Sequence, residues 1–104
     1  MKIVRVTYTA KAAYVATNQA NIRTVMNDLQ QLGNSGINYH CCLSPDGQTF
    51  THLAFFQSEE DEKVLLQLPA FKSFQEQLKA SGPEVPPKQE VLTLVGSSTE
   101  IFRA

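Results

Sequence analysis

The sequence predicts an α+β domain in which helices pack on one face of a four-stranded antiparallel sheet. Apolar residues recur with a period of two, then at helical spacing, then with a period of two again along the chain. The resulting order is strand, helix, strand, strand, helix, strand. Because 104 residues with 42% hydrophobic content suffice for one core only, we expect a single domain over residues 1–96, followed by a C-terminal tail over residues 97–104.

The N-terminal segment predicts a strand followed by a long helix. Residues 3–9 are rich in β-branched side chains and place Val4, Val6 and Tyr8 on one face. From about residue 12 to residue 32, apolar side chains recur at spacings of three and four, which is typical of a helix with one face in the core. The glycine that follows, Gly33, can adopt the left-handed conformation that often ends a helix.

Two apolar segments flank the sequence Ser-Pro-Asp-Gly-Gln at residues 44–48 and predict a β-hairpin. This connection fits a three-residue loop with a bulge, which pairs residue 44 with residue 48. In that register His40 lies opposite His52, and Cys42 lies diagonal to His52 on the same face. A shift of one residue would instead place the two histidines on opposite faces. The predicted strands are residues 37–43 and 49–57.

The C-terminal half predicts an interrupted helix and a last strand. Ser58 can cap the helix, and the acidic residues 59–62 complement the positive end of its dipole. Pro69 divides the helix into two short segments. After a polar, proline-rich loop at residues 84–87, the sequence Val-Leu-Thr-Leu-Val at residues 91–95 predicts the last strand.

Both faces of the predicted sheet carry large apolar side chains. An antiparallel sheet with one face in water should alternate apolar with polar residues. Here Leu53 and Phe55 fall on one face of the hairpin, and Phe50 and Phe56 fall on the other. One layer of helices covers only one face, so we expect a homodimer that packs sheet on sheet.

Composition and charge exclude several classes of protein. The net charge is -1 and the nine Lys and Arg residues are scattered, so no nucleic-acid partner is expected. The sequence has neither a long apolar run nor the apolar core of a signal peptide, which predicts a cytoplasmic protein and no membrane partner. The adjacent Cys41 and Cys42 are expected to be free thiols. Neither a phosphate-binding glycine loop nor a nucleotide fingerprint is present, so no cofactor is predicted.

The element order is that of the ferredoxin-like βαββαβ fold. Together with the two apolar sheet faces, the helix broken at Leu68-Pro69 and the closing strand at residues 91–95, it resembles the dimeric α+β barrel superfamily, near its antibiotic-biosynthesis-monooxygenase-like members. The resemblance covers residues 1–96. It implies a cofactor-free monooxygenase, in which a phenolic or anthrone-like substrate loses a proton and reacts directly with oxygen between sheet and helices. The haem-degrading branch is marked by a tryptophan, and this chain has none.

The predicted histidine pair is the main candidate for chemistry. Side by side, His40 and His52 can act as acid and base, bind a divalent metal together with Cys42, or form a hydrogen-bonded polar patch without a catalytic role. The resemblance implies that His52 takes the proton of the substrate if its side chain faces the helices.

Four further residues are candidates for substrate binding. Tyr8 and Tyr39 can donate a hydrogen bond to a phenolate or quinone oxygen, although tyrosines on strands more often belong to the core. Arg5 lies on an interior strand, where its charge needs a carboxylate partner or an anionic ligand. Phe50 is the fourth candidate.

The sequence therefore leaves two functions open. The first is a cofactor-independent monooxygenase acting on a small aromatic or quinol-like compound. The second is a non-catalytic homodimeric module that binds a small hydrophobic ligand. A largely apolar pocket with a histidine in its wall is expected only for the first.

Overall fold

A computed structural model describes residues 1–102 of the chain. The described residues form an α+β fold, with the predicted ferredoxin-like order and the predicted division of the second helix at Pro69. Among residues 1–102, no helix combines the length and the apolar character that a membrane span requires. The elements are β1 (Lys2–Thr9), α1 (Val15–Leu32), β2 (Ile37–Leu43), β3 (Thr49–Phe56), α2 (Glu59–Gln67), α3 (Pro69–Ser81) and β4 (Val85–Leu92), with a 3₁₀ turn at Ala12–Tyr14 before α1.

The four strands form one antiparallel sheet in the order β2-β3-β1-β4. The core lies on a single face of this sheet, because every second residue of β1 and β3 packs against the helices. The opposite, outer face carries the residues between them. The buried core consists of Val4, Tyr8, Phe50, Ala54 and Phe56 from the sheet, Ala10, and Ile22, Val25, Leu65, Phe71, Phe74 and Leu78 from the helices.

Local sequence explains where the helices begin and end. Gly33 adopts the left-handed conformation, with φ of 66°, and ends α1 as predicted. The Ser58 hydroxyl accepts a hydrogen bond from Asp61 N at 3.3 Å and caps α2. Pro69 is the first residue of α3, a position where its missing N–H costs no helical hydrogen bond.

The last strand begins earlier than predicted. We expected a loop over residues 84–87 and a strand over residues 91–95, but β4 covers Val85–Leu92 and contains Pro86 and Pro87. β4 lies at the edge of the sheet, and its pairing with β1 is irregular between Val85 and Lys88. Both prolines fall within this irregular segment of an edge strand, where prolines are tolerated. The edge position depends on the strand order, which local sequence does not reveal.

The hairpin loop contains four residues instead of the predicted three. Ser44 N donates to Thr49 O at 2.8 Å, which leaves residues 45–48 as the loop. Gly47 has φ of 75°, the left-handed conformation predicted for it. The Asp46 carboxylate accepts hydrogen bonds from Gln48 N at 2.9 Å and Thr49 N at 2.8 Å. These two bonds hold the additional residue in place.

The longer loop shifts the hairpin register by one residue. His52 pairs with Cys41, and His40 pairs with Leu53. The predicted His40–His52 pair is therefore wrong, because the two side chains lie on opposite faces of the sheet. His52 faces the helices, as the monooxygenase interpretation required, and His40 lies on the outer face.

Candidate active site

A cavity of about 360 Å³ lies between the sheet and α3. This volume falls within the roughly 300–1,000 Å³ that small-molecule pockets occupy. Aromatic, aliphatic and proline side chains form most of its wall, so the cavity suits a ligand with a large apolar surface. Five side chains in the wall carry polar groups: Tyr8, Tyr39, His52, Gln75 and Lys79.

His52 lies on the helix-facing side of β3 and is 4% exposed. Burial disfavours the charged imidazolium and lowers the pKa of His52 from 6.5 to about 4. The ring is therefore neutral near pH 7, with one nitrogen carrying a proton and the other accepting a hydrogen bond.

Two tyrosine hydroxyls occupy both ring nitrogens of His52. The Tyr8 hydroxyl lies 2.8 Å from Nε2, and the Tyr39 hydroxyl lies 2.6 Å from Nδ1. Burial raises the pKa of both tyrosines, so both hydroxyls remain protonated at neutral pH. Neither nitrogen of His52 is left to contact a ligand directly. A ligand can reach the imidazole only through a tyrosine hydroxyl.

Asn18 extends this network and was missed by the sequence analysis. Its side-chain Nδ2 donates to the Tyr8 hydroxyl at 2.8 Å, and the residue is fully buried. Its Oδ1 has no hydrogen-bond partner among the described residues. The available signal was a polar residue on the apolar stripe of the predicted helix, four positions before Ile22.

The two tyrosines differ in their freedom to bind a ligand. Tyr8 is 1% exposed, and its hydroxyl already contacts both His52 and Asn18. Tyr39 is partly exposed, and His52 is the only partner of its hydroxyl among the described residues. The Tyr39 hydroxyl therefore retains capacity for one more hydrogen bond, in a side chain that lines the cavity.

The tautomer of His52 decides what Tyr39 can do. If Nδ1 carries the proton, it donates to the Tyr39 oxygen, and the Tyr39 O–H can donate to a ligand. If Nε2 carries the proton, the Tyr39 O–H donates to Nδ1, and its oxygen can accept from a ligand. The same hydroxyl can thus act as a hydrogen-bond donor or as the first step of a proton relay to His52.

The remaining predicted site residues lie outside the cavity. Phe50 is 2% exposed and stacks on Tyr8, with ring centroids 5.5 Å apart. It therefore packs against a residue of the cavity wall but does not line the cavity itself. Arg5 lies on the outer face and pairs with Glu90 at 2.8 Å, which is the first of the two roles considered for it. His40 is exposed on the same outer face and contacts the Asn38 side chain.

The metal site considered for His40, His52 and Cys42 is contradicted by the register. His40 and Cys42 belong to the outer face, whereas His52 is buried beneath the helices. Among residues 1–102 no three His, Cys, Asp or Glu side chains are grouped to hold a metal ion. Cys41 faces inward, and burial raises the pKa of its thiol to about 12, so it stays protonated.

No protein-family model matches the sequence, and no curated protein does. Several solved structures match the fold. A Bacteroides thetaiotaomicron protein assigned to the antibiotic biosynthesis monooxygenases superposes with a TM-score of 0.82 at 12% identity, over 95% of this chain and 93% of its own. A protein from Mycobacterium tuberculosis superposes with a TM-score of 0.78 at 13% identity, over 94% and 98%. A variant of SnoaB, a cofactor-independent oxygenase from Streptomyces nogalater, gives 0.63 at 16% identity, over 95% and 98%.

The chain therefore has a ferredoxin-like α+β fold. More narrowly, it has the fold of the antibiotic-biosynthesis-monooxygenase-like proteins, as the sequence resemblance implied. Because these identities lie between 12% and 16%, the likeness establishes the architecture alone. The chemistry has to be argued from the side chains of the cavity.

Proposed function

We propose that this protein is a cofactor-independent monooxygenase that oxidises a small aromatic or quinol-like compound in the cavity between the sheet and α3. The observation that carries the proposal is the Tyr8–His52–Tyr39 network in the wall of a largely apolar cavity of about 360 Å³. An apolar wall accommodates a fused aromatic ring system, and the network supplies a site for proton transfer.

The reaction needs no external electron donor, because the substrate supplies the electrons. An anthrone-type methylene loses one proton to give a carbanion stabilised by the ring system, and this proton later protonates the peroxide that forms on the same carbon. The carbanion transfers an electron to O₂, and the two radicals combine to form a C–O bond. Loss of the second C–H proton and cleavage of the O–O bond then give a carbonyl and one water. One oxygen atom enters the product, and the other leaves in water.

The network contributes to the first of these steps. With His52 protonated at Nδ1, Tyr39 donates a hydrogen bond to the carbonyl oxygen of the substrate and stabilises the negative charge that develops there. With His52 protonated at Nε2, Tyr39 accepts a phenolic proton while passing its own to Nδ1. His52 becomes an imidazolium, and the adjacent substrate anion offsets the cost of that buried charge. Tyr8 and Asn18 hold the imidazole in position on its other side.

The direct test is oxygen uptake with a panel of anthrones and hydroquinones, run with ¹⁸O₂ to follow the label. The proposal expects uptake above the rate without protein, and one labelled oxygen atom per product molecule. Gln75→Trp should abolish uptake, because Gln75 is exposed and lines the cavity, so a bulky ring there obstructs it. Gln77→Trp is the matched control, because this exposed α3 residue does not line the cavity.

If compounds of the panel bind to the wild-type protein but not to Gln75→Trp, and no oxygen uptake occurs, the proposed oxygenase function is contradicted. That result would favour the non-catalytic module that binds a hydrophobic ligand. Binding is measured by quenching of tyrosine fluorescence, since Tyr8 and Tyr39 both line the cavity.

We also propose that two chains pair through the outer face of the sheet. Ile3 is already buried within the chain, but its partners Phe55 and Leu92, together with Leu53, stay partly exposed on this face. A second copy of the sheet would cover this apolar cluster. Sedimentation velocity should give a dimer for the wild type and a monomer for Leu53→Glu, whereas Lys72→Glu on the exposed side of α3 should remain dimeric. A wild-type monomer contradicts this pairing.

A further inference from the structure

The cavity has a cationic side chain in its wall and no acidic one. Lys79 lines the cavity, as does Gln75, and both are exposed residues of α3. The buried Tyr8 and His52 mark the closed end of the cavity, so the two exposed side chains mark its opening. Because His52 is neutral, Lys79 is the one charged group among the described residues of the wall.

Lys79 has no carboxylate partner in the described part of the chain. The ion pairs between residues 1–102 are Lys2 with Glu62 and Arg5 with Glu90. Lys79 lies in the last turn of α3, where a positive charge is favourable to the helix dipole whether or not a ligand binds. A role in stability alone does not require its side chain to reach the cavity.

The surroundings of the opening reinforce its positive charge. The Lys11 ammonium lies beside Gly82, at 3.3 Å from the position that a Cβ would take there. Gly82 precedes Pro83, which belongs to the cavity wall. The acidic residues nearest to the opening along the chain, Glu76 on α3 and Glu84 after it, do not line the cavity, and Glu84 accepts a hydrogen bond from Gln48 Nε2 at 3.3 Å.

We infer that the ligand of this cavity is an aromatic compound carrying a carboxylate or similar anionic group, and that Lys79 at the opening binds this group. The inference rests on the proposed function, because it assigns the substrate class of the same cavity. The apolar ring system fills the space between sheet and α3, its oxygen atom meets Tyr39, and its anionic group meets Lys79. Lys79 thereby acts as a specificity residue and takes no part in proton transfer.

The test uses two stable probes that share one ring system and differ only in charge, anthraquinone-2-carboxylate and 2-(hydroxymethyl)anthraquinone. Their dissociation constants are measured by fluorescence quenching for the wild type and three variants. We expect the carboxylate to bind about fivefold more tightly than the neutral probe, as a partly exposed ion pair allows. The preference should shrink as the salt concentration rises.

Lys79→Met should remove the preference for the carboxylate and leave the affinity for the neutral probe unchanged. Lys79→Arg should retain the preference. Lys72→Met is the matched control, because Lys72 is exposed on the same helix but does not line the cavity. A role confined to the helix dipole would change the melting temperature of Lys79→Met without changing the ratio of the two affinities.

Equal affinity for the two probes, or a preference that persists in Lys79→Met, overturns the inference and leaves the cavity as a binding site for neutral aromatics. Failure of both probes to bind overturns the inference together with the proposed function. Binding of the neutral probe therefore distinguishes failure of this inference alone from failure of the proposed function.

Discussion

The Tyr39 hydroxyl lies 2.6 Å from His52 Nδ1, while Tyr8 occupies Nε2 of the same ring at 2.8 Å. A buried imidazole is thus held between two phenols, and only one of the phenols has capacity for another partner. This relationship changes the role of the histidine. His52 does not meet the substrate but sets the direction in which the Tyr39 proton points.

Tyr39→Phe should lower kcat for oxygen uptake about 100-fold, because it removes the one hydroxyl able to link a ligand to His52. The melting temperature should also fall, because the buried Nδ1 of His52 loses its hydrogen-bond partner. Tyr14→Phe is the control, because it removes the same group from a tyrosine that lies outside the cavity. Equal activities of the two variants would exclude Tyr39 from the site.

The free energy of unfolding should fall as the pH decreases from about 6.5 to about 4. In this range the unfolded chain protonates His52, while the folded chain keeps it neutral because its pKa is lowered to about 4. The contribution of neutral His52 to the free energy of unfolding is fully present above pH 6.5. It is lost toward pH 4, which lowers the free energy of unfolding by up to roughly 3 kcal/mol.

The measurement that checks this pH dependence is urea unfolding of the wild type and His52→Gln at several pH values. Glutamine keeps a hydrogen-bond donor and an acceptor but does not titrate. The carboxylates contribute equally to both proteins, so the difference between the two curves of unfolding free energy against pH reports the titration of His52. Parallel curves from pH 7 to pH 4 would contradict the assignment of His52 as a buried neutral ring.

His40→Ala should leave kcat and KM for oxygen uptake unchanged. The hairpin register places His40 on the outer face, opposite Leu53, and away from the cavity. The same measurement on His52→Gln should show a clear loss of kcat, so one experiment distinguishes the roles of the two histidines. A loss of activity in His40→Ala, in a variant that is still a dimer, would refute the register as the basis of the site.

Asn18→Leu should reduce kcat by about tenfold and change the free energy of unfolding by less than about 1 kcal/mol. Leucine removes the hydrogen bond to Tyr8, but it also removes a buried Oδ1 that has no partner among the described residues. These two effects on stability oppose each other. A positioning role for Asn18 predicts that the pH profile of kcat shifts, and an unchanged kcat and profile would leave it a purely structural residue.

Gly47→Ala should destabilise the protein by about 1 kcal/mol, because an alanine at φ of 75° clashes with its own backbone. Urea unfolding measures the effect, and Gly96→Ala, which has no left-handed φ and open space around it, provides the control. Equal stability of the two variants would mean that the hairpin accepts another turn. The register that places His52 in the cavity would then not depend on Gly47.

Much of the architecture was predictable because it depends on local chemistry. The β-branched run at residues 3–9, the helical stripe ending at Gly33, the Ser58 cap and the break at Pro69 each act within a few residues of their own position. The structure confirms all four. The start of β4 was not predictable in this way, because Pro86 and Pro87 are acceptable in a strand only when that strand lies at an edge.

The sequence by itself determined the order of the elements and the apolar stripes, since these depend on the conformational preferences of neighbouring residues. It did not determine the length of the hairpin loop or the start of β4, and it did not reveal Asn18 as a member of the network. Only the tertiary structure decided that His52, and not His40, joins Tyr8 and Tyr39. The reason is physical: one additional loop residue, held by Asp46, shifts the pairing of β2 with β3 by one residue. Every β2 side chain therefore lies on the opposite face from the β3 residue that was predicted to pair with it, and no local propensity distinguishes the two registers.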